Sequence, residues 1–123
     1  MKSFTYHAPK DVKDASKLAS SSSAFLAGGM TTIPSMKLGL ASYKDVIDIK
    51  NIKKLSGIKV SGKTVTIGAT TKHAEVASSK DVKKAIPALA KLAGNIGDAQ
   101  VRNRGTIGGS ISNNDPSLSL IHI

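Results

Sequence analysis

Apolar and polar residues in the first half of the chain change period several times, and each change predicts an element. Residues 3–7 alternate, as a strand does. Pro9 and Asp11 then interrupt the pattern. Over 11–18, Val12, Ala15 and Leu18 recur at helical spacing, with Asp11 placed to cap the helix. Residues 20–23 are all serine, a composition that argues against extending it. The apolar run 24–27 stops at Gly28-Gly29 and predicts a buried strand ending in a glycine turn. Thr32-Ile33-Pro34 can open a second helix, because proline in a first turn loses no hydrogen bond. Met36, Leu38 and Leu40 are its expected apolar contacts. Residues 46–49 predict a further strand, closed by the polar turn Lys50-Asn51. The resulting order, strand–helix–strand–loop–helix–strand, describes a small α/β layer.

The second half begins differently. Residues 57–60 and 64–68 alternate on either side of Ser61-Gly62-Lys63, which predicts a hairpin. Residues 73–79, 81–86 and 87–93 have helical character, the last ending at Gly94. Val101 and 106–112 read as extended. The change of character puts a boundary between two lobes near 55–57, giving 1–55, 56–116 and a short tail, 117–123.

Composition adjusts this picture in three ways. The 123 residues suit one domain of ordinary size that buries roughly two-thirds of its unfolded surface. Aromatics are only 3% and Trp is absent, so Val, Ile, Leu and Ala must fill the interior and base stacking is a poor basis for function. There is no cysteine, which removes disulfides, thiolate metal sites and a resident iron–sulfur cluster. Three scattered histidines offer no metal-ligand spacing, so no metal is expected. The opening Met1–His7 has no long apolar run of signal-peptide type. Nothing approaches the roughly 18 apolar residues of a membrane span. A cytoplasmic setting is therefore expected.

The net charge is +10, from 18 Lys+Arg against 8 Asp+Glu. The lysines are spread along the chain, and only Arg102 and Arg104 carry guanidinium groups. Nucleic-acid readers rely on arginine forks, so a solvated basic surface is expected rather than a nucleic-acid partner.

Two segments could carry chemistry. In Ala27-Gly28-Gly29-Met30-Thr31-Thr32-Ile33-Pro34 a strand delivers paired glycines to a helix start. Glycine permits positive φ and close backbone approach; exposed N–H groups there make a concavity suited to an anion. The spacing is neither G-x-G-x-x-G nor a P-loop, and by itself it fits a structural turn as well as a phosphate cradle. Gly105-Thr106-Ile107-Gly108-Gly109-Ser110 repeats the chemistry, with Asn113, Asn114 and Asp115 close behind. A diphosphate takes donors from more than one side, and two such segments could supply them.

These stretches also carry a family likeness. AGGMTTIPSMKLGL (27–40) and QVRNRGTIGGS (100–110) resemble the FAD-binding medium subunits of molybdenum hydroxylases. IGATTKHAEV (67–76) and IPALAKLAGNIGD (86–98) lie between them in the family's order. That group includes aerobic carbon monoxide dehydrogenase and bacterial xanthine dehydrogenase. The resemblance spans 3–116 and implies an α+β fold of the vanillyl-alcohol-oxidase/p-cresol-methylhydroxylase type. In that fold FAD lies between two α/β lobes, and here the second lobe is truncated.

By similarity, Ala27, Gly28, Gly29, Met30, Thr31, Thr32 and Ile33 would wrap the FAD diphosphate. Thr106, Gly108, Gly109 and Ser110 would close it, with Asp115 nearby. Met30 replaces the His or Gln often seen in the family, so only its backbone N–H is assigned. The resemblance further implies a molybdenum cofactor on a large partner subunit and iron–sulfur clusters on a small one. Electrons would pass through FAD to NAD, a quinone or oxygen. No catalytic acid or base is assigned to this chain. His7 reads as structural, His73 as a cap or a packing neighbour of flavin, and His122 carries no evident role. Arg102 and Arg104 could face phosphate, orient a loop or meet a partner subunit.

Beyond Pro116 the likeness stops, and the apolar ending 117–123 suggests a truncated or misread fragment that would be inactive alone. The rival readings are another flavin oxidoreductase of the same fold, such as a cell-wall-precursor reductase, and a basic non-enzymatic binding module.

Overall fold

The computed structural model describes residues 1–114, and its chain divides into two compact units, Met1–Lys54 and a second beginning at Leu55. The first unit holds strands β1 (Thr5–His7), β2 (Ser23–Leu26) and β3 (Asp45–Asp48), with helices α1 (Val12–Leu18) and α2 (Thr32–Lys37) between them. The strands form a parallel sheet of order β1-β3-β2, with Thr5 and Ser23 both in register with Asp45. Parallel neighbours require crossovers, and the two helices supply them. Asp11 caps α1, its Oδ1 accepting from the Asp14 N–H at 2.7 Å.

The centre of this unit is Val46 and Ile47 on the middle strand, with Ala15, Met36 and Ile52 buried around them. Asp48 is buried there too. Its carboxylate accepts from the Tyr6 hydroxyl at 2.6 Å and from the Lys50 N–H at 3.0 Å, so the buried charge is fully engaged. Phe25 corrects the expectation of a wholly buried second strand: β2 lies at the sheet edge, and that side chain is 50% exposed.

Leu38 and Leu40 correct a second expectation, since both are exposed. The cause is the way α2 ends. Gly39 takes φ 73, its N–H donates to the Met36 carbonyl, and the Leu40 N–H donates to the Ser35 carbonyl. This is the paired bonding of a Schellman ending, and it turns the chain away before either leucine can join the helix's buried face.

The second unit opens with the antiparallel hairpin β4 (Ile58–Ser61) and β5 (Thr64–Ile67). Gly62 has φ 57, the positive angle that a two-residue hairpin turn needs at its first position. Among the described residues, five helices follow: α3 (His73–Ser78), α4 (Lys80–Ala85), α5 (Pro87–Gly94), α6 (Ala99–Arg102) and α7 (Ile107–Asn113). Ser79, Asp98 and Thr106 cap α4, α6 and α7 with side-chain oxygens. Val76, Val82, Ala90 and Ala93 make the core, and Ile58, Ile67, Leu89 and Ile107 pack against it.

Residues 101 and 106–112 were expected to be extended; Thr106 is, but the structure makes Val101 and 107–112 helical. The one extended feature is a single bridge between Lys72 and Thr106. Among the described residues, no helix is long and apolar enough to cross a membrane.

Candidate functional site

In the first unit, β2 delivers the chain to the glycine pair. The Ile49 N–H donates to the Leu26 carbonyl, the last sheet bond before the turn. Gly29 is buried and takes φ 78; a Cβ there would stand 2.5 Å from Ile33 Cδ1. The positive φ favours glycine, and any Cβ would also make the Ile33 side chain shift. Helix α2 begins at Thr32, and the Ile33 N–H donates back to the Gly29 carbonyl at 3.1 Å.

Among the described residues, the N–H groups of Gly28, Gly29, Met30, Thr31 and Thr32 meet no protein acceptor. The Thr31 hydroxyl makes no capping bond either. Met30 is partly exposed and its thioether is no strong donor, so this position offers an N–H alone. The segment is thus a run of uncommitted donors on a backbone held open by glycine, chemistry that suits the oxygens of a diphosphate.

The segment in the second unit has the same residue types and a different disposition. The Ile107 N–H donates to the Thr71 carbonyl at 3.0 Å, and the Gly108 N–H to the Ala69 carbonyl at 2.9 Å. The Gly109 N–H donates to Thr106 Oγ1 and the Ser110 N–H to the Thr106 carbonyl, both at 3.1 Å. The backbone donors of residues 107–110 are therefore engaged internally. What remains here is the Thr106 N–H and hydroxyl proton, together with the Ser110 hydroxyl, whose oxygen lies 3.0 Å from His73 Nε2.

Gly108 is required by packing: a Cβ on it would lie 2.6 Å from both the Cβ and the carbonyl oxygen of Ala69. The two segments, alike in sequence, differ in disposition: the first keeps a run of five uncommitted backbone donors, the second chiefly hydroxyls and the single N–H of Thr106. Asp115 lies outside the described residues.

The role of His73 was not legible in the sequence. It is not a cap, since Lys72 holds that position and makes no side-chain capping bond. Its ring is 1% exposed, and Nε2 lies 3.0 Å from Ser110 Oγ. Burial pushes its pKa below the ordinary histidine value, so the ring is neutral near pH 7. The sequence hint is an imidazole at the start of a helix, His73–Ser78, whose only other ionisable side chain is Glu75. Arg102 resolves toward loop orientation: its Nη1 donates to the Ile96 and Gly97 carbonyls at 3.0 and 3.1 Å. Arg104 is exposed.

Comparison with known proteins bears on these segments. The family described as FAD binding domain in molybdopterin dehydrogenase matches residues 2–122, a range that takes in most of the terminal tail. The carbon monoxide dehydrogenase medium chain of Hydrogenophaga pseudoflava is 46% identical over 95% of this chain and 44% of that protein. The glyceraldehyde dehydrogenase medium chain of Sulfolobus acidocaldarius is 42% identical, over 77% of this chain and 34% of that one. A solved carbon monoxide dehydrogenase from Hydrogenophaga pseudoflava, lacking the Mo-pyranopterin moiety, superimposes with a TM-score of 0.90 at 47% identity. That match covers 92% of this chain and 40% of the solved one. Reconstituted CO dehydrogenase from Oligotropha carboxidovorans gives 0.93 at 36% identity, covering 97% and 43%. The chain thus spans less than half the length of these relatives. Its α+β fold is the FAD-binding fold that the sequence resemblance implied. By sequence and by fold, the chain belongs to the family of FAD binding domains in molybdopterin dehydrogenases.

Proposed function

We propose that this chain is the FAD-holding part of a molybdenum hydroxylase-type oxidoreductase in the cytoplasm. In that enzyme, electrons from iron–sulfur clusters on a small partner subunit reach NAD or another acceptor by way of FAD, and a large partner subunit carries the molybdenum cofactor. Bound FAD supplies the redox chemistry, accepting and releasing electrons one or two at a time. The chain's own residues bind and orient. Gly28, Gly29, Met30, Thr31 and Thr32 direct backbone N–H groups at diphosphate oxygens, and Ala27 and Ile33 hold the ends of that turn. Thr106 and Ser110 add hydroxyl donors. Gly108 serves by letting its backbone lie close to Ala69, and Gly109, whose N–H bonds Thr106 Oγ1, and Asp115 complete the assigned set.

The observation that carries this reading is the run of N–H groups at residues 28–32 that meet no acceptor among the described residues, on a turn that the positive φ of Gly29 opens. The N–H groups of buried or half-buried residues in a native protein ordinarily have partners; those of Gly28, Gly29 and Thr32 are of this kind, and a diphosphate would provide them.

The test is purification of the chain with excess FAD, followed by a visible spectrum and a flavin titration. A retained flavin band is expected. Gly28→Val, which sets a branched side chain among the donors, should remove it while far-ultraviolet circular dichroism stays unchanged. Thr31→Val removes one hydroxyl donor to a charged group and should weaken binding about 10- to 100-fold. A colourless protein that takes up no flavin, both as this chain and at the length of its relatives, would overturn the proposal.

A further inference from the structure

A buried neutral imidazole has one N–H and one lone pair, and both must be accounted for. In His73, Nε2 meets Ser110 Oγ at 3.0 Å, while buried Nδ1 has no hydrogen-bond partner among the described residues. Two arrangements satisfy this geometry. If the proton sits on Nδ1, a buried donor is orphaned, and the Ser110 hydroxyl proton is consumed by Nε2. If it sits on Nε2, only a lone pair is orphaned, and Ser110 Oγ is the acceptor. Orphaned buried N–H groups are the rarer of the two defects. The Nε2–H form is also the one an isolated histidine side chain prefers.

The ring has little freedom to choose otherwise. The His73 backbone N–H donates to the Gly105 carbonyl at 3.0 Å. A Cβ on Gly105 would come within 3.1 Å of His73 Cδ2, so the glycine is what lets the ring edge lie against that backbone. Ser110 sits on α7, which is tied by its first residues to Ala69 and Thr71. Ring and hydroxyl are thus held on two segments already bonded to each other.

We infer that His73 is a positioning residue: its Nε2–H donates to Ser110 Oγ and thereby turns the serine's own proton outward, as a donor to a phosphate oxygen of the ligand. The inference rests on the FAD reading for the identity of that ligand. It adds a residue that touches no ligand and acts only through Ser110. It also explains why a polar ring is kept at a position where an apolar side chain would pack without an orphaned nitrogen.

Two measurements on the full chain test this. The first is a long-range 1H–15N correlation spectrum of histidine-labelled protein at neutral pH. His73 is expected as a neutral ring with its proton on Nε2; a proton on Nδ1, or a doubly protonated ring, overturns the inference.

The second is FAD affinity by flavin-fluorescence titration. Ser110→Ala should weaken FAD about tenfold, and His73→Phe by a similar factor. His73→Gln, which keeps an N–H near the Nε2 position, should recover most of that loss. The His73→Phe/Ser110→Ala double variant should be no weaker than Ser110→Ala alone, because one interaction cannot be lost twice. Independent, multiplying losses would show that His73 acts through the fold and not through Ser110, and would overturn the inference. Should His73→Phe fail to fold, the spectrum and the His73→Gln titration decide. If the wild type binds FAD while the Ser110 and His73 variants match it, this inference alone fails. If the wild type takes up no FAD, as this chain and at the length of its relatives, the functional reading falls and the inference with it.

Discussion

At Gly29 a conformational and a packing requirement fall on the same atom. The backbone sits at φ 78, and a Cβ would reach Ile33 Cδ1 at 2.5 Å. Gly29→Ala should therefore destabilise the first unit by about 1–3 kcal/mol, read as a lower denaturant midpoint with or without flavin. A variant as stable as the wild type would mean that the turn can relax. His73 makes a prediction of a different kind. Burial holds its pKa below the ordinary value of 6.5. Below that value the unfolded chain takes up a proton here that the folded chain refuses. The stabilisation is thus complete above 6.5 and is lost as pH falls through the folded value. Moving from about pH 7.5 to about pH 5.5 should lower the thermal midpoint more in the wild type than in His73→Phe, which has no proton to take up. Equal falls would remove His73 as the cause.

At the scale of elements, α7 separates what the sequence could disclose from what it could not. Thr106-Ile107 beside two glycines looks extended, because each glycine inside a helix costs about 1 kcal/mol relative to alanine. The helix forms because Thr106 caps it and because Ile107 and Gly108 bond to the carbonyls of Thr71 and Ala69, more than thirty residues earlier. Such partners leave no periodic trace near the motif. The elements set by local signals were legible: Asp11 before α1, Gly62 in the hairpin, and Pro87 opening α5. Leu38 and Leu40 were not, since the bonding around Gly39 decides where they go. Thr106→Val keeps the branched shape and loses the cap, and should cost about 1 kcal/mol. Gly108→Ala should cost about 1–3 kcal/mol, because its Cβ would meet Ala69 backbone as well as side chain. Urea unfolding of both variants checks the order; a Gly108→Ala protein more stable than Thr106→Val would reverse it.

For the molecule as a whole, the glycine segments suggest a diphosphate cradle in the sequence, but they do not disclose how the donors are divided. Both read as one motif written twice. Among the described residues, the run of uncommitted backbone donors lies at 28–32, while the second segment has its N–H groups at 107–110 bonded and offers the Thr106 N–H with the Thr106 and Ser110 hydroxyls. That division says which part of the dinucleotide should dominate affinity. Donors to a diphosphate act equally on FAD and on ADP, whereas riboflavin carries no phosphate for them to meet. The net charge of +10 adds a diffuse attraction for anions, which salt screens over about 10 Å at 0.1 M. Close hydrogen bonds to the diphosphate are screened far less. ADP should therefore displace FAD from the chain, and riboflavin should not. The ADP competition should persist at an ionic strength that abolishes competition by inorganic phosphate. Flavin-fluorescence displacement at low and high salt measures both effects together. Riboflavin displacing FAD as well as ADP does would move the binding energy from the glycine segments to the isoalloxazine ring. An ADP effect that vanished with salt would reduce the turn at Gly28-Gly29 to one more part of a basic surface.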